Sequence, residues 1–241
     1  MFIDMHCHIL PNVDDGADSM SVAAEIINSA YKTGTRIMIV TPHYNYPEKV
    51  KYHNNKSELT EEYRKLAELM SQQIAGMKFF LGSELLANDN IGDLYKNNEL
   101  ITINGSRYIL TEFYFNENIK NVNRYTNQLI SMGLTPIIAH PERYGFLQNL
   151  RDVENLLNKG CKIQINKDSV LGRYGIKPKE SAIRMLNNDY VHFIASDCHN
   201  TSSRNADLSE LYIKLLENFS QKKINDLFHD NQKRVLLDVE F

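Results

Sequence analysis

Phe2-Ile3-Asp4-Met5-His6-Cys7-His8 is a short run of strand-forming residues that ends in two imidazoles separated by a single residue. In a strand, alternate side chains leave on the same face, so His6 and His8 can reach one ion while Cys7 points away. Further along, candidate strands end near Val40, Leu81, Leu110, Ala139, Ile165 and Ala195, each rich in Ile, Val, Phe, Met or Tyr. Stretches of helical period separate most of the seven, which predicts a parallel sheet covered by helices. The first helix is expected over residues 21–33, with Val22, Ile26 and Ala30 on one face and Gly34 as its stop. A second, over 57–75, carries Leu59, Tyr63, Leu66, Met70 and Ile74 as its apolar stripe. Others fall at 119–132, 152–159, 178–187 and 208–219. Asn104-Gly105, between Ile101-Thr102-Ile103 and Arg107-Tyr108-Ile109-Leu110, reads as a two-residue hairpin and predicts a small β-ribbon.

The chain has 241 residues, enough for one full core, and no linker, repeat or low-complexity tract divides it, so a single domain over 1–241 is expected. A formal net charge of -3 with 24% charged and 42% hydrophobic residues argues against disorder and against a nucleic-acid-binding surface. The longest apolar runs, such as Ile37 to Val40, fall far short of the ~20 residues a membrane helix needs, and no secretory signal is visible, so the cytoplasm is the expected compartment. Cys7, Cys161 and Cys198 cannot all pair within one chain and are expected as reduced thiols.

Metal-competent side chains cluster at the strand ends. His6 and His8 follow the first strand, His43 the second, Glu84 the third, Glu112 the fourth, His140 the fifth, and Asp197 with His199 the seventh. In parallel barrels the carboxyl ends of the strands carry the site, so these positions describe one rim. Asp197-Cys198-His199 repeats the period of two seen in His6-Cys7-His8. Any one of these features is a weak signal, since a lone strand-end Glu is usually only solvated. Together, imidazoles and carboxylates without a cysteine cluster suit manganese, iron, cobalt or zinc.

Those positions carry a resemblance. His6-Cys7-His8, Asp14-Asp15-Gly16, Thr41-Pro42-His43, Gly82-Ser83-Glu84, Arg107-Tyr108 with Glu112-Phe113, His140-Pro141-Glu142-Arg143-Tyr144 and Ser196-Asp197-Cys198-His199-Asn200 resemble the PHP superfamily. More closely they are similar to its bacterial protein-tyrosine phosphatases, which oppose tyrosine autokinases in capsule and exopolysaccharide synthesis. The resemblance runs from about residue 2 to about residue 205. It implies a distorted (β/α)7, TIM-like barrel with three divalent ions, manganese foremost. By position, the first ion would take His6, His8, Glu84 and Asp197; the second would share Glu84 and add Glu112 and His140; the third would take Asp14, His43 and His199. The implied substrate is phosphotyrosine on protein, such as the tail of a bacterial tyrosine kinase.

The chemistry that follows is charge neutralisation of a phosphate monoester, with attack by a hydroxide drawn from bound water whose pKa falls from about 15.7 to about 7. Arg143 and Arg204 are placed to clamp phosphoryl oxygens through forked donors. A small phosphate monoester, such as histidinol phosphate, is the alternative substrate, because fold and metals do not choose one. A rival mechanism lies in Cys198-His199-Asn200-Thr201-Ser202-Ser203-Arg204, the C-x5-R spacing of cysteine-dependent tyrosine phosphatases. Its explanation as a residue between two ligands is simpler. His53, His192 and His229 read as structural or solvated, and Cys7 and Cys161 as core. Tyr44 and Tyr46 follow His43 in a rim loop from which they could stack on a phosphotyrosine ring, with loop aromatics that take no part as the simpler reading. Lys49, Lys51 and Lys56 add positive charge to the same loop, where a solvated face is the simpler reading.

Overall fold

Each strand pairs in parallel with its neighbours in the computed structural model, which describes residues 1–47, 52 and 55–241. The strands are β1 (Phe2–Cys7), β2 (Thr35–Val40), β3 (His43–Tyr44), β4 (Lys78–Leu81), β5 (Glu84–Leu86), β6 (Tyr108–Glu112), β7 (Thr135–Ala139), β8 (Lys162–Asn166) and β9 (Phe193–Ala195). β2 and β3 form one lane, interrupted at Thr41-Pro42, and β4 and β5 another, interrupted at Gly82-Ser83. Proline has no N–H to give a ladder, which accounts for the first break. Across the breaks, Gly82 N donates to Val40 O at 2.8 Å and Glu84 N to Pro42 O at 2.9 Å. The order β1-β2-β4 therefore runs on into β3-β5-β6-β7-β8-β9.

Beyond β9 the chain turns back alongside β1: Asp197 N donates to His6 O and His8 N to Cys198 O, both at 2.9 Å. Seven lanes thus follow one another around a distorted, TIM-like α/β barrel, as expected. The two short strands β3 and β5 were not anticipated.

The helices are α1 (Met20–Lys32), α2 (Lys56–Gln73), α3 (Ile91–Lys96), α4 (Ile119–Ser131), α5 (Leu150–Asn158), α6 (Lys167–Leu171), α7 (Ile176–Asn187), α8 (Ser209–Leu216), α9 (Gln221–Asn225) and α10 (Asn231–Leu236). Side-chain caps start the longer ones: Ser19 accepts from Val22 N, Asn55 from Ser57 N and Glu58 N, and Asn118 from Asn121 N. Ala23, Ile26, Ile27 and Ala30 of α1, and Leu59, Leu66 and Met70 of α2, are buried against the sheet, at roughly 1.5–3 kcal/mol for each large apolar side chain. A separate cluster that includes Ile3, Met5, Ile39, Leu110, Ile137 and Phe193 fills the barrel interior.

The expected ribbon at Asn104-Gly105 does not form. The dipeptide has the left-handed backbone that its sequence suggests, with φ of 52° at Asn104 and 69° at Gly105, but it closes a 3-10 turn over Ile103–Gly105. Ile103 is buried in the barrel interior, and β6 is already paired in parallel by β5 on one side and β7 on the other, so no partner position remains. The C-terminal segment also does more than expected. Val235 joins the interior cluster, Asn104 Nδ2 donates to Leu236 O at 3.1 Å, and Arg107 meets Asp238 and Glu240, so α10 and the tail close the amino end of the barrel.

Candidate metal centre

The carboxyl ends of the lanes converge as the sequence spacing predicts. Ile3 and Met5 face the interior, whereas Cys7 lies in the outer core, so strict alternation breaks between Met5 and Cys7, where the β1–β2 register shifts. That break turns His6 and His8 inward together. Their Nε2 atoms lie 3.1 Å apart. Glu84 Oε2 sits 3.2 Å from the first and 3.3 Å from the second, and Asp197 Oδ1 lies 3.7 and 3.6 Å from them. All four side chains are buried.

Glu84 is the hub. Its other oxygen, Oε1, accepts from His140 Nε2 at 2.8 Å, while His43 Nδ1, its partner across β3 and β5, lies 3.0 Å from Oε2. His43 Nδ1 also reaches Glu112 Oε1 at 2.8 Å, and Tyr46 donates its hydroxyl to that same oxygen at 2.9 Å. Two residues of the cluster, His140 and Asp197, adopt positive φ of 36° and 52°, a strained conformation that tertiary contacts must hold and that tends to mark functional positions.

The structure separates the two neighbouring aspartates. The Asp14 carboxylate is fully engaged: Oδ2 accepts from His8 Nδ1 at 2.8 Å and from His43 N at 3.0 Å, and Oδ1 from Gly16 N at 2.9 Å. Asp14 therefore orients His8, whereas the resemblance implied that it would join His43 and His199. Asp15 fills that place, with Oδ1 3.3 Å from His43 Nε2 and 3.3 Å from His199 Nε2. The sequence offered a signal for this, two adjacent acids before a glycine, without saying which one the turn aims inward.

Charge accounts for the electrostatics. Burial alone would lift the Glu84 carboxyl, but His6 and His43 hold it well below the usual carboxylate range. Burial likewise opposes a charged His8, yet Asp14 and Glu84 carry it up to about 10. His199 moves the other way: burial and the neighbouring His8 depress it to about 4.

These donors suit divalent cations. With Nδ1 of His8 directed to Asp14, Nε2 is the atom that faces His6 Nε2, 3.1 Å away, and two carboxylates, and a bound cation would take it as a ligand in place of a proton. Among the described residues the buried His199 Nε2 makes no aligned hydrogen bond, although Asp15 Oδ1 lies 3.3 Å away. Groupings of His6, His8 and Asp197, of His43, Glu84 and Glu112, and of His8, Asp15, His43 and His199 each bring ligand atoms within 4.8 Å of one another. His140 meets Glu84 directly at Oε1, and Glu112 is joined to it through His43, which contacts Oε2.

Both expected arginines overlook Asp197: Arg204 Nη2 lies 2.6 Å from Oδ1 and Arg143 Nη1 3.4 Å from Oδ2. Arg143 is also stacked between the rings of Phe115, at 5.2 Å, and Tyr174, at 4.7 Å. Phe115 was not anticipated. Tyr44 is buried, with its hydroxyl on Glu99 O, and so is not available to stack on a substrate ring. Tyr46 packs against His43 and Tyr52. Lys56 donates to Asn98 O; His53, Lys49 and Lys51 lie outside the described residues. His192 accepts from Ile163 N and packs on Phe241, and His229 pairs with Asp230, so both have structural partners.

Cys198 is buried and its thiol lies with Cys7 and Asp4, away from Asp197 and His199, so no phosphate-cradling thiolate loop forms. All three cysteines are free thiols. No helix among the described residues is long and apolar enough to cross a membrane.

Comparison with known proteins places this geometry. The profile of the capsular polysaccharide synthesis family CpsB/CapC matches residues 2–237, which extends the likeness through the C-terminal segment. CapC of Staphylococcus aureus is 37% identical over 221 residues, 87% of this chain and 82% of that protein. The tyrosine-protein phosphatase CpsB of Streptococcus pneumoniae is 29% identical over 242 residues, 98% of each chain. Among solved structures, one from work on YwqE of Bacillus subtilis and CpsB of Streptococcus pneumoniae, described as metal-dependent tyrosine phosphatases, superimposes with a TM-score of 0.88 at 29% identity, over 99% of this chain and 96% of that one.

Proposed function

Because the chain belongs to the CpsB/CapC family of capsular polysaccharide synthesis proteins, we infer that it is a metal-dependent tyrosine-protein phosphatase. The observation that carries the reading is the meeting of His6 Nε2, His8 Nε2 and Glu84 Oε2 at 3.1 to 3.3 Å from one another at the barrel mouth, with Asp197 Oδ1 3.7 and 3.6 Å from the two imidazoles. Imidazole nitrogens and carboxylate oxygens converging in this way are the donor set that divalent cations take.

In this proposal His6, His8, Glu84 and Asp197 hold a first ion, Glu84, Glu112 and His140 a second, and Asp15, His43 and His199 a third, with Asp14 holding His8 in place. Manganese heads the candidates, with iron, cobalt or zinc as others. When bound, such ions neutralise phosphoryl oxygens and acidify water. The chain's own groups orient the ester. Among the described residues Arg204 Nε is buried with no acceptor, and a phosphoryl oxygen would supply one; Arg143, held by Phe115 and Tyr174, is positioned as the second donor. Burial and the Glu112 carboxylate push the Tyr46 phenol far above its ordinary range, so it stays a neutral donor that fixes Glu112. The substrate proposed is a phosphotyrosyl segment of a bacterial tyrosine kinase in the cytoplasm.

The test is hydrolysis of a phosphotyrosyl peptide after chelation and after return of manganese, cobalt or zinc, with histidinol phosphate and a thiol-alkylated sample in parallel. Activity should vanish with chelator, return with metal, favour the peptide and survive alkylation. A preference for histidinol phosphate would move the assignment to small phosphate monoesters.

A further inference from the structure

β8 is the one lane that brings no imidazole or carboxylate of its own to the centre. What it brings is Gln164 and Asn166, two amides on the same face at the strand's period of two, both completely buried. Gln164 Oε1 lies 2.9 Å from His6 Nδ1, Gln164 Nε2 donates to Asn166 Oδ1 at 2.8 Å, and Asn166 Nδ2 donates to Asp197 Oδ2 at 2.6 Å.

The polarity of this chain is fixed from one end. An ionised Asp197 only accepts, so Asn166 must offer its NH2 there and turn its carbonyl to Gln164. Gln164 must then offer its NH2 to that carbonyl and turn its own carbonyl to His6. A carbonyl only accepts, so His6 must carry its proton on Nδ1, which leaves Nε2, the atom facing His8, Glu84 and Asp197, as the ligand atom. A random pair of buried amides could face either way; this pair has one consistent arrangement.

We propose that Gln164 and Asn166 are positioning residues, a two-amide relay that sets the proton of His6 and ties its orientation to that of Asp197, so that β8 aligns two metal ligands without binding metal. The proposal rests on the reading of His6 and Asp197 as ligands. Partners of this kind, in which a metal-bound imidazole gives its other N–H to a neighbour, typically contribute 10–100-fold to metal affinity. Here one relay serves two ligands on opposite sides of the chain, 158 residues apart for His6 and Gln164 and 31 for Asn166 and Asp197.

The experiment uses the full chain carrying Gln164→Met or Asn166→Leu, and the double variant. Mn2+ is titrated calorimetrically into chelator-stripped protein, and the downfield His6 Nδ1–H resonance is followed in Zn2+-loaded and metal-free samples labelled with 15N-histidine. Each single variant should weaken the tightest Mn2+ site by roughly 10–100-fold, and the double variant should lose less than the two single losses combined. The decisive result is that Asn166→Leu, which does not touch His6, moves or broadens the His6 Nδ1–H resonance. If that resonance is unmoved and Mn2+ affinity stays within about twofold of wild type, the relay is wrong and the amides only fill the core. Should Asn166→Leu fail to fold, the milder Asn166→Ala, which also leaves the Gln164–His6 contact in place, decides by the same two readings. A wild-type chain that takes up no Mn2+ would overturn the metal-centre reading instead, while the metal-free resonance would still judge the relay.

Discussion

Gly16→Ala should damage the metal centre without altering a single ligand. A Cβ at this position would lie 2.2 Å from His8 O, 2.6 Å from His8 Cβ and 2.8 Å from His8 C. Two of these atoms are backbone, so no side-chain rotation relieves the contact. Recovering an ordinary separation of about 3.5 Å requires the loop to retreat by roughly 1.3 Å. That retreat breaks Ala17 N to His8 O, a 3.1 Å hydrogen bond, and carries Asp14 and Asp15 away from His8, His43 and His199. Metal–ligand distances tolerate only about 0.2 Å, so the site built on Asp15 should be lost. Overpacking costs ~1–3 kcal/mol and the lost hydrogen bond ~1 kcal/mol, together a fall in Tm of roughly 5–15 °C for a chain of this size. Thermal unfolding with chelator measures the first effect, and metal content by mass spectrometry measures the second. A variant within ~1 °C of wild type that keeps its full metal complement would refute the steric argument.

The two neighbouring aspartates should separate experimentally: Asp15→Ala should lose a bound ion outright, whereas Asp14→Ala should keep the ion count but weaken affinity by roughly 10–100-fold, as a carboxylate behind a histidine ligand does. Metal stoichiometry checks both, and the reverse ranking would return Asp14 to the ligand set. A second expectation concerns pH. Burial, with Lys162 nearby, lowers His192 to about 4, so the folded chain holds it neutral while the unfolded chain protonates it near 6.5. The unfolded state then binds more protons on acidification, so this contribution is full above pH ~6.5 and is lost as pH falls toward 4. Between pH 6.5 and 5 it amounts to ~2 kcal/mol, and denaturant unfolding of His192→Asn should show a flatter decline than wild type across that window. Equal slopes would mean that the ring is not held neutral.

Residue type and local period were sufficient for much of this protein. Seven strand lanes, the principal helices and the gathering of His6, His8, His43, Glu84, Glu112, His140, Asp197 and His199 at one rim were legible because strand ends, period-two pairs and apolar stripes are properties of neighbouring residues. In β8, Gln164 and Asn166 alternate with Ile163 and Ile165, a local pattern that by itself signals no role. What they are for could not be read there, since their partners lie on β1 and beyond β9. Packing between distant segments decided the rest. Asn104-Gly105 supplied its left-handed turn but no ribbon, because β6 was already paired on both sides. Asp15 rather than Asp14 reached His43 and His199 because His8 Nδ1 and two backbone N–H groups had taken the Asp14 carboxylate. A sequence states which groups are close along the chain; which acceptor each donor finds depends on groups brought together from far apart, and only the folded barrel fixes them.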